Sequence, residues 1–406
     1  MSSRYASLTR AELAVLVPEL LLIGQLIDRS GMAWCISAYG REGMQRVAIE
    51  EWMAASPIYT GRMQRALGYE GDDVVTIFKG LQLDIGAPPQ FMDFRYTVHD
   101  PWHGEFHLDH CGALMDVEPM GEDFVRGMCH DIEDPTFDAT AVATNPRAQV
   151  RPVHRPPRVP VDRQPHCAWT VVIDDAHPPV SESADCTALR SSQAALTELA
   201  PIDPSDDGTG DYAGPLLADL DFGAFSHSAL VRMADEVCLQ MHLLNLGFRR
   251  AVDRRSSPEE ARTIATRQLV GIAGVAAERI HGALGLPADE AGALRVLSLH
   301  PLLNPAAYVE ADVSDDRLQV RASPAHEDGA WISLCGPASV APLQAAVRGV
   351  DPHLDVEVTG TSSEWSATVV RRDEAAPVSD EVAVTRISSG ASFTFEPRRA
   401  LPITPV

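Results

Sequence analysis

Arg62-Met63-Gln64-Arg65-Ala66-Leu67-Gly68 and Arg279-Ile280-His281-Gly282-Ala283-Leu284-Gly285 close two helical stretches with one pattern, 217 residues apart. Asp134-Pro135 and Asp351-Pro352 repeat that offset. Cys111-Gly112 and Cys335-Gly336 stand 224 apart, and Thr170-Val171-Val172 matches Thr368-Val369-Val370 near the end of each stretch. These pairs read as two tandem copies of one domain. Across the ungapped stretch, His99, His103, His107, Asp109 and His110 face Ser323, Glu327, Trp331, Ser333 and Leu334. The second copy keeps the scaffold and drops the metal-competent side chains, which places the chemistry in the first.

Working outward, Thr9 and Glu12 form a capping box ahead of Leu13, Leu16, Leu20, Ile23 and Ile27, apolar at helical spacing, so 8–30 reads as a helix. Further helices fill 41–67 and stop at Gly68. Alternation predicts strands at 91–98, 148–155 and 167–174, with a helix at 120–132. The second copy predicts helices at 227–250, 257–284, 288–299 and 337–349, with strands near 306–311, 317–323, 330–335, 354–358 and 364–371. The fold class is α+β: each copy is a helical segment followed by an antiparallel sheet with a packed helix, the second degenerate. The domains are 1–175 as the metal-binding or catalytic domain, a Pro- and Ser-rich linker at 176–225, the degenerate repeat at 226–372, and a polar, partly disordered tail at 373–406.

A chain of 406 residues with 45% hydrophobic and 22% charged residues is that of a soluble globular protein of two domains. The formal charge of −24 argues against nucleic acid and anionic membranes. The longest apolar run, near Leu13–Ile23, holds Pro18 and Glu19 and is too short to span a bilayer; it does not read as a signal peptide. Seven cysteines without a regular framework fit a reducing cytoplasm. A homo-oligomer is compatible with this composition.

Of 14 histidines, seven lie between His99 and His166. In His103-Gly104-Glu105-Phe106-His107-Leu108-Asp109-His110-Cys111, extended backbone presents His103, Glu105, His107, Asp109 and Cys111 on one face and Phe106 and Leu108 on the other. Such a face is costly to desolvate unless it binds something, and imidazole, thiolate and carboxylate suit zinc or iron. The alternative is a solvated polar strand. Two-residue spacing lets at most about three of these groups reach one ion, so ligands from 151–167 have to join. Cys111 has a counterpart in Cys335, so ligand and packing roles both stand. Cys35, Cys186 and Cys238 read as structural. There is no Gly-rich phosphate loop, G-x-S-x-G elbow or H-E-x-x-H helix.

The helical pair (Leu26-Ile27-Asp28 to Ala33-Trp34, then Gly43 to Trp52), the Cys-Gly helix entry, and paired strands ending Val153-His154 and opening His166-Cys167-Ala168-Trp169 resemble the L-2-amino-thiazoline-4-carboxylic acid hydrolase-like proteins. These are related to 4-vinyl reductase-type small-molecule-binding domains. The resemblance covers about residues 8–175 and, faintly, 227–371. It implies a His/Cys site at His99, Cys111, His154 and Cys167, and ring-opening hydrolysis of a small heterocycle.

The resulting expectation is a metal-dependent hydrolase or lyase acting on a small anionic organic substrate, with one divalent transition metal, zinc first and iron second. His99, His103, Cys111, His154 and Cys167 are the metal ligands. Glu105 or Asp109 is the general base and His107 the proton shuttle. Arg147, Arg155 or Arg158 orients the substrate carboxylate. The competing expectations are a non-catalytic small-molecule or metal-binding protein and an accessory protein with a structural metal. A duplicated domain also predicts that the two copies pack as a pseudo-twofold pair.

Overall fold

The computed structural model describes residues 2–314 and 316–406. The first copy opens with α1 (Arg10–Ala66), started by the Thr9–Glu12 capping box. Gly40, at φ 69° and ψ 178°, breaks this run into arms 10–39 and 41–66. Only glycine adopts that backbone without strain. Then come α2 (Val74–Leu81), β1 (Met92–Asp100), β2 (His103–Cys111), α3 (Gly112–Val117), α4 (Glu122–Arg126), a π-helical turn (Gly127–Ile132), α5 (Glu133–Val142), β3 (Ala148–His154) and β4 (Cys167–Ile173). Two short helices follow, α6 (Ala184–Leu189) and α7 (Gln193–Leu196).

The second copy runs α8 (His227–Asp253), α9 (Pro258–Leu284), α10 (Glu290–Leu299), β5 (Ala311–Val313), β6 (Arg317–Val320), α11 (Pro324–Glu327), α12 (Ala341–Arg348), β7 (Leu354–Gly360), β8 (Trp365–Arg371) and α13 (Asp380–Thr385). Each copy carries a four-stranded antiparallel sheet, in the orders β1-β2-β4-β3 and β5-β6-β8-β7. The fold is α+β with two repeated units. The 217 offset holds through the helices: α1's arms correspond to α8 and α9, and α2 to α10.

Strand register corrects part of the sequence pairing. Arg95 and Thr170 frame His107 and Glu105 in the first sheet, while Asp312 and Thr368 frame Gln319 and Arg317 in the second. Gln319 therefore stands in the place of His107, and Arg317 in that of Glu105. Residues 323–334 are not strand: Pro324 opens α11 and Trp331–Leu334 is a 3-10 turn. Nor are the Asp-Pro pairs equivalent. Asp134-Pro135 lies in the first turn of α5, Asp351-Pro352 in the turn before β7. Strands β5 to β8 contain no His or Cys.

The two units share a helical core that runs from Leu13 and Leu20 of α1 through Leu239 of α8 to Leu269 of α9. Its contacts are reciprocal. Arg62 Nε donates to Glu236 at 2.8 Å, and Arg279 Nε to Glu19 at 2.7 Å; the two arginines stand 217 apart, and so do the two glutamates. Arg62 also donates to the carbonyls of Ala195 and Thr197, Arg279 to those of Gly390, Ala391 and Phe393. Where residue i meets j and j meets i, the interface is isologous, the geometry of a twofold dimer. The helices cross so closely that a Cβ on Gly247 would lie 2.9 Å from the Glu51 carbonyl oxygen.

Residues 176–225 bury Cys186, Leu189, Ala194, Tyr212 and Leu216. The tail is ordered, against the expectation for 373–406. Phe393 packs 5.5 Å from Phe91, Arg398 pairs with Asp93, and the amides of Ile403 and Val406 donate to Leu216 and Val98. Its aromatic and β-branched residues bury apolar surface that the polar composition conceals. Among the described residues no helix is long and apolar enough to cross a membrane.

Candidate functional site

Two places in the first unit concentrate chemistry, on opposite faces of its sheet. The outer face carries His103, Glu105, His107 and Asp109, while Phe106 and Leu108 are buried inside, as alternation requires. An extra residue in β1 between Val98 and Asp100 bulges His99 toward this face. Donor atoms of His99, His103 and Glu105 lie within 4.8 Å of one another, and the two imidazole centroids are 4.6 Å apart. His99 Nε2 is 3.3 Å from Glu105 Oε1, too far off-axis for a hydrogen bond, and has no other partner among the described residues. Two imidazoles and a carboxylate at this spacing can close on a divalent ion with donors about 2.0–2.2 Å from it, water completing the sphere.

The wider ligand set does not converge. Opposite the two residues from Met92 to Phe94, β2 spends three from Leu108 to Cys111, a bulge that turns Cys111 inward. Cys111 is buried, caps α3 by accepting from the Leu114 amide, and contacts Met92 Sδ at 3.7 Å. Burial pushes its thiol up to about 12. Cys167 also faces inward, opposite Leu108, with its thiol raised by burial. His154 stays on the outer side, across Ala168 from His107, and its imidazole is pulled down by burial and then by Arg163 and His107. His107 pairs with Asp109 at 3.3 Å. The sheet thus separates Cys111 and Cys167 from the histidines.

The arginines are engaged elsewhere. Arg147 donates to the carbonyls of Asp175 and His177, Arg155 pairs with Asp134, and Arg158 forks onto Glu118 at 2.9 and 2.7 Å.

The inner side holds a cavity of about 260 Å³ between the arms of α1, the start of β1, the π turn and α5. Its apolar walls include Met44, Trp52, Leu81, Phe94 and Phe137. Val384, Ile387 and Ser388, from α13 and just beyond, close it, so the second unit completes the first unit's cavity. Gln25, Asp28, Arg29, Asp84, Asp116 and Glu133 supply its polar lining. An apolar pocket with a few convergent polar groups of shifted pKa is the usual signature of a ligand site, and π turns concentrate at such sites.

Three acids in or behind this lining, Asp84, Glu133 and Glu51, are strongly perturbed. Burial pushes Asp84 up to about 6, against hydrogen bonds from the Gly86 amide and Tyr59 hydroxyl. Burial takes Glu133 to about 8, with Arg155 pulling the other way. Glu51, fully buried behind Asp28, is held well above the carboxylate range by burial and by the hydrogen-bonded Asp28 carboxyl. Neither oxygen of Glu51 meets a protein donor among the described residues, and the proton that burial keeps on Glu51 can be donated to Asp28.

The second unit shows what this pair replaces. At the positions of Asp28 and Glu51 stand Asn245 and Gln268, joined by a neutral Asn245 Nδ2 to Gln268 Oε1 hydrogen bond of 3.0 Å. At the position of Gln25 stands His242, bonded to the Pro301 and Asn304 carbonyls and packed 4.9 Å from Tyr308 and 5.3 Å from Trp331. Those buried rings fill the counterpart of the cavity. The sequence signal for the cavity is two acids inside apolar helical runs, aligned with amides at offset 217.

No family model, curated protein or solved structure matches this chain.

Proposed function

We propose that the first unit binds a small, mostly apolar organic molecule in the cavity beneath its sheet, and that the second unit serves as its structural partner. The observation that carries this reading is the asymmetry of two like units: one keeps an apolar cavity lined by a few buried polar side chains, while in the other the buried rings of Trp331 and Tyr308 pack against the counterpart of Gln25, His242. At about 260 Å³ the cavity lies just below the range of about 300–1,000 Å³ usual for ligand pockets, which suits a small ligand. Titration calorimetry with 2-phenylethanol tests it. One site per chain is expected, abolished by Ala48→Phe, whose ring would project into the cavity. Equal binding by the variant would refute the reading.

The metal-dependent hydrolase or lyase reading retains one supporting observation, the His99–His103–Glu105 cluster. This cluster lies across the sheet from the cavity, so an ion there would serve a separate, solvent-facing site. Elemental analysis after zinc loading tests it: about one ion per chain, lost in His103→Ala, supports a metal site, and no retained zinc contradicts it.

A further inference from the structure

The cavity's polar atoms are unbalanced. Among the cavity-lining side chains, the fully enclosed atoms Gln25 Oε1, Asp28 Oδ1 and Glu133 Oε2, and on the donor side Arg29 Nε, have no hydrogen-bond partner among the described residues. Gln25 and Asp28 are 4% and 3% exposed, so bulk water does not satisfy them. A buried acceptor left without a donor is destabilising, more so if charged. A ligand that fits must therefore bring donors. The acidic side chains point the same way: Asp28, Asp84, Asp116 and Glu133 line the cavity beside one arginine, Arg29, whose own Nη2 lies 3.4 Å from Asp28. In the second unit Asp28, Glu51 and Arg29 correspond to Asn245, Gln268 and Leu246, so at these three positions only the unit that keeps the cavity has ionisable side chains.

We propose that this cavity recognises an organic cation, a protonated amine on an apolar body, with Asp28 as its counter-ion, Glu51 supporting Asp28 from behind, and Gln25 and Glu133 as further acceptors. The proposal rests on the cavity being a ligand site. The ammonium supplies three donors where the protein offers an excess of acceptors, and the apolar body packs against Phe94, Phe137 and Met44. A carboxylate ligand would instead face four acidic side chains with one arginine already shared.

Calorimetry on the full chain with 2-phenylethylammonium, 2-phenylethanol and phenylacetate separates the two claims. The ammonium is expected to bind about tenfold or more tighter than the alcohol, as a charge-assisted hydrogen bond allows, and phenylacetate weakest. Asp28→Asn, which installs the amide found at 245, is expected to bring the ammonium-to-alcohol ratio below about threefold; a melting curve and circular dichroism check that it folds. Asp28→Asn with Glu51→Gln, the full amide pair of the second unit, gives the same test in a background whose pairing the protein already accommodates. Binding of all three probes without charge preference, or a preference for phenylacetate, overturns the cation while leaving the cavity as a ligand site. Failure of every probe to bind overturns both.

Discussion

Glu133 links the cavity to stability. In the unfolded chain its carboxyl titrates near 4.5; in the folded protein burial raises it to about 8. The native state thus holds this proton more tightly, and stability falls as pH rises across that window, by on the order of a few kcal/mol, levelling above it. Asp84 (3.8 to about 6) and Asp235 (3.8 to about 7) act in the same sense. Urea unfolding at pH 5 and pH 8 should show the protein more stable at pH 5, with the difference reduced in Glu133→Gln; a flat profile would contradict the buried acid. The cysteines give a second check. All seven are free and buried, and Cys111, Cys186 and Cys335 are pushed up to about 12 by burial. An aromatic disulfide reagent at pH 8 should label none quickly in the native protein and all seven in denaturant; a fast native thiol would mark an open, reactive site.

Among elements, the reciprocal Arg62–Glu236 and Arg279–Glu19 pairs join the helical arms. Glu236 is 2% exposed and binds Arg232 as well as Arg62. Glu236→Gln leaves buried guanidinium charge under-compensated and should cost about 3–5 kcal/mol, whereas Glu122→Gln, in the exposed Glu122–Arg126 pair, should cost less than about 1 kcal/mol. Denaturant titration of both variants checks the contrast. The helices were legible in the sequence because their lengths are kept in both units, so one offset aligns Arg62 with Arg279 and Leu67 with Leu284. The outer strand face was legible because alternation is local. Alternation put Cys111 on the outer face of β2, and one bulged residue reverses that facing. The segment 323–334 was misread because an ungapped offset cannot register that β6 is four residues long where β2 is nine. The cavity was not legible as such, since its walls come from α1, β1, the π turn, α5 and the end of the second unit, and no single period marks them.

At the scale of the molecule, two units share one helical core and each copy's terminal segment binds an arginine of its own unit's second helical arm beside the partner. Residues 1–225 and 226–406 made separately should each expose that core and fail to form soluble monomers; co-expressed, they should reassociate one to one. Two independently stable monomers would contradict the shared core. The central claim is that only one of two like units keeps a ligand cavity. A crystal of the full chain soaked in 4-bromophenethylamine tests it through the anomalous signal of bromine. One peak per chain is expected, between α1 and α5 of the first unit near Asp28. No peak there, or a peak beside Trp331 in the second unit, would contradict it.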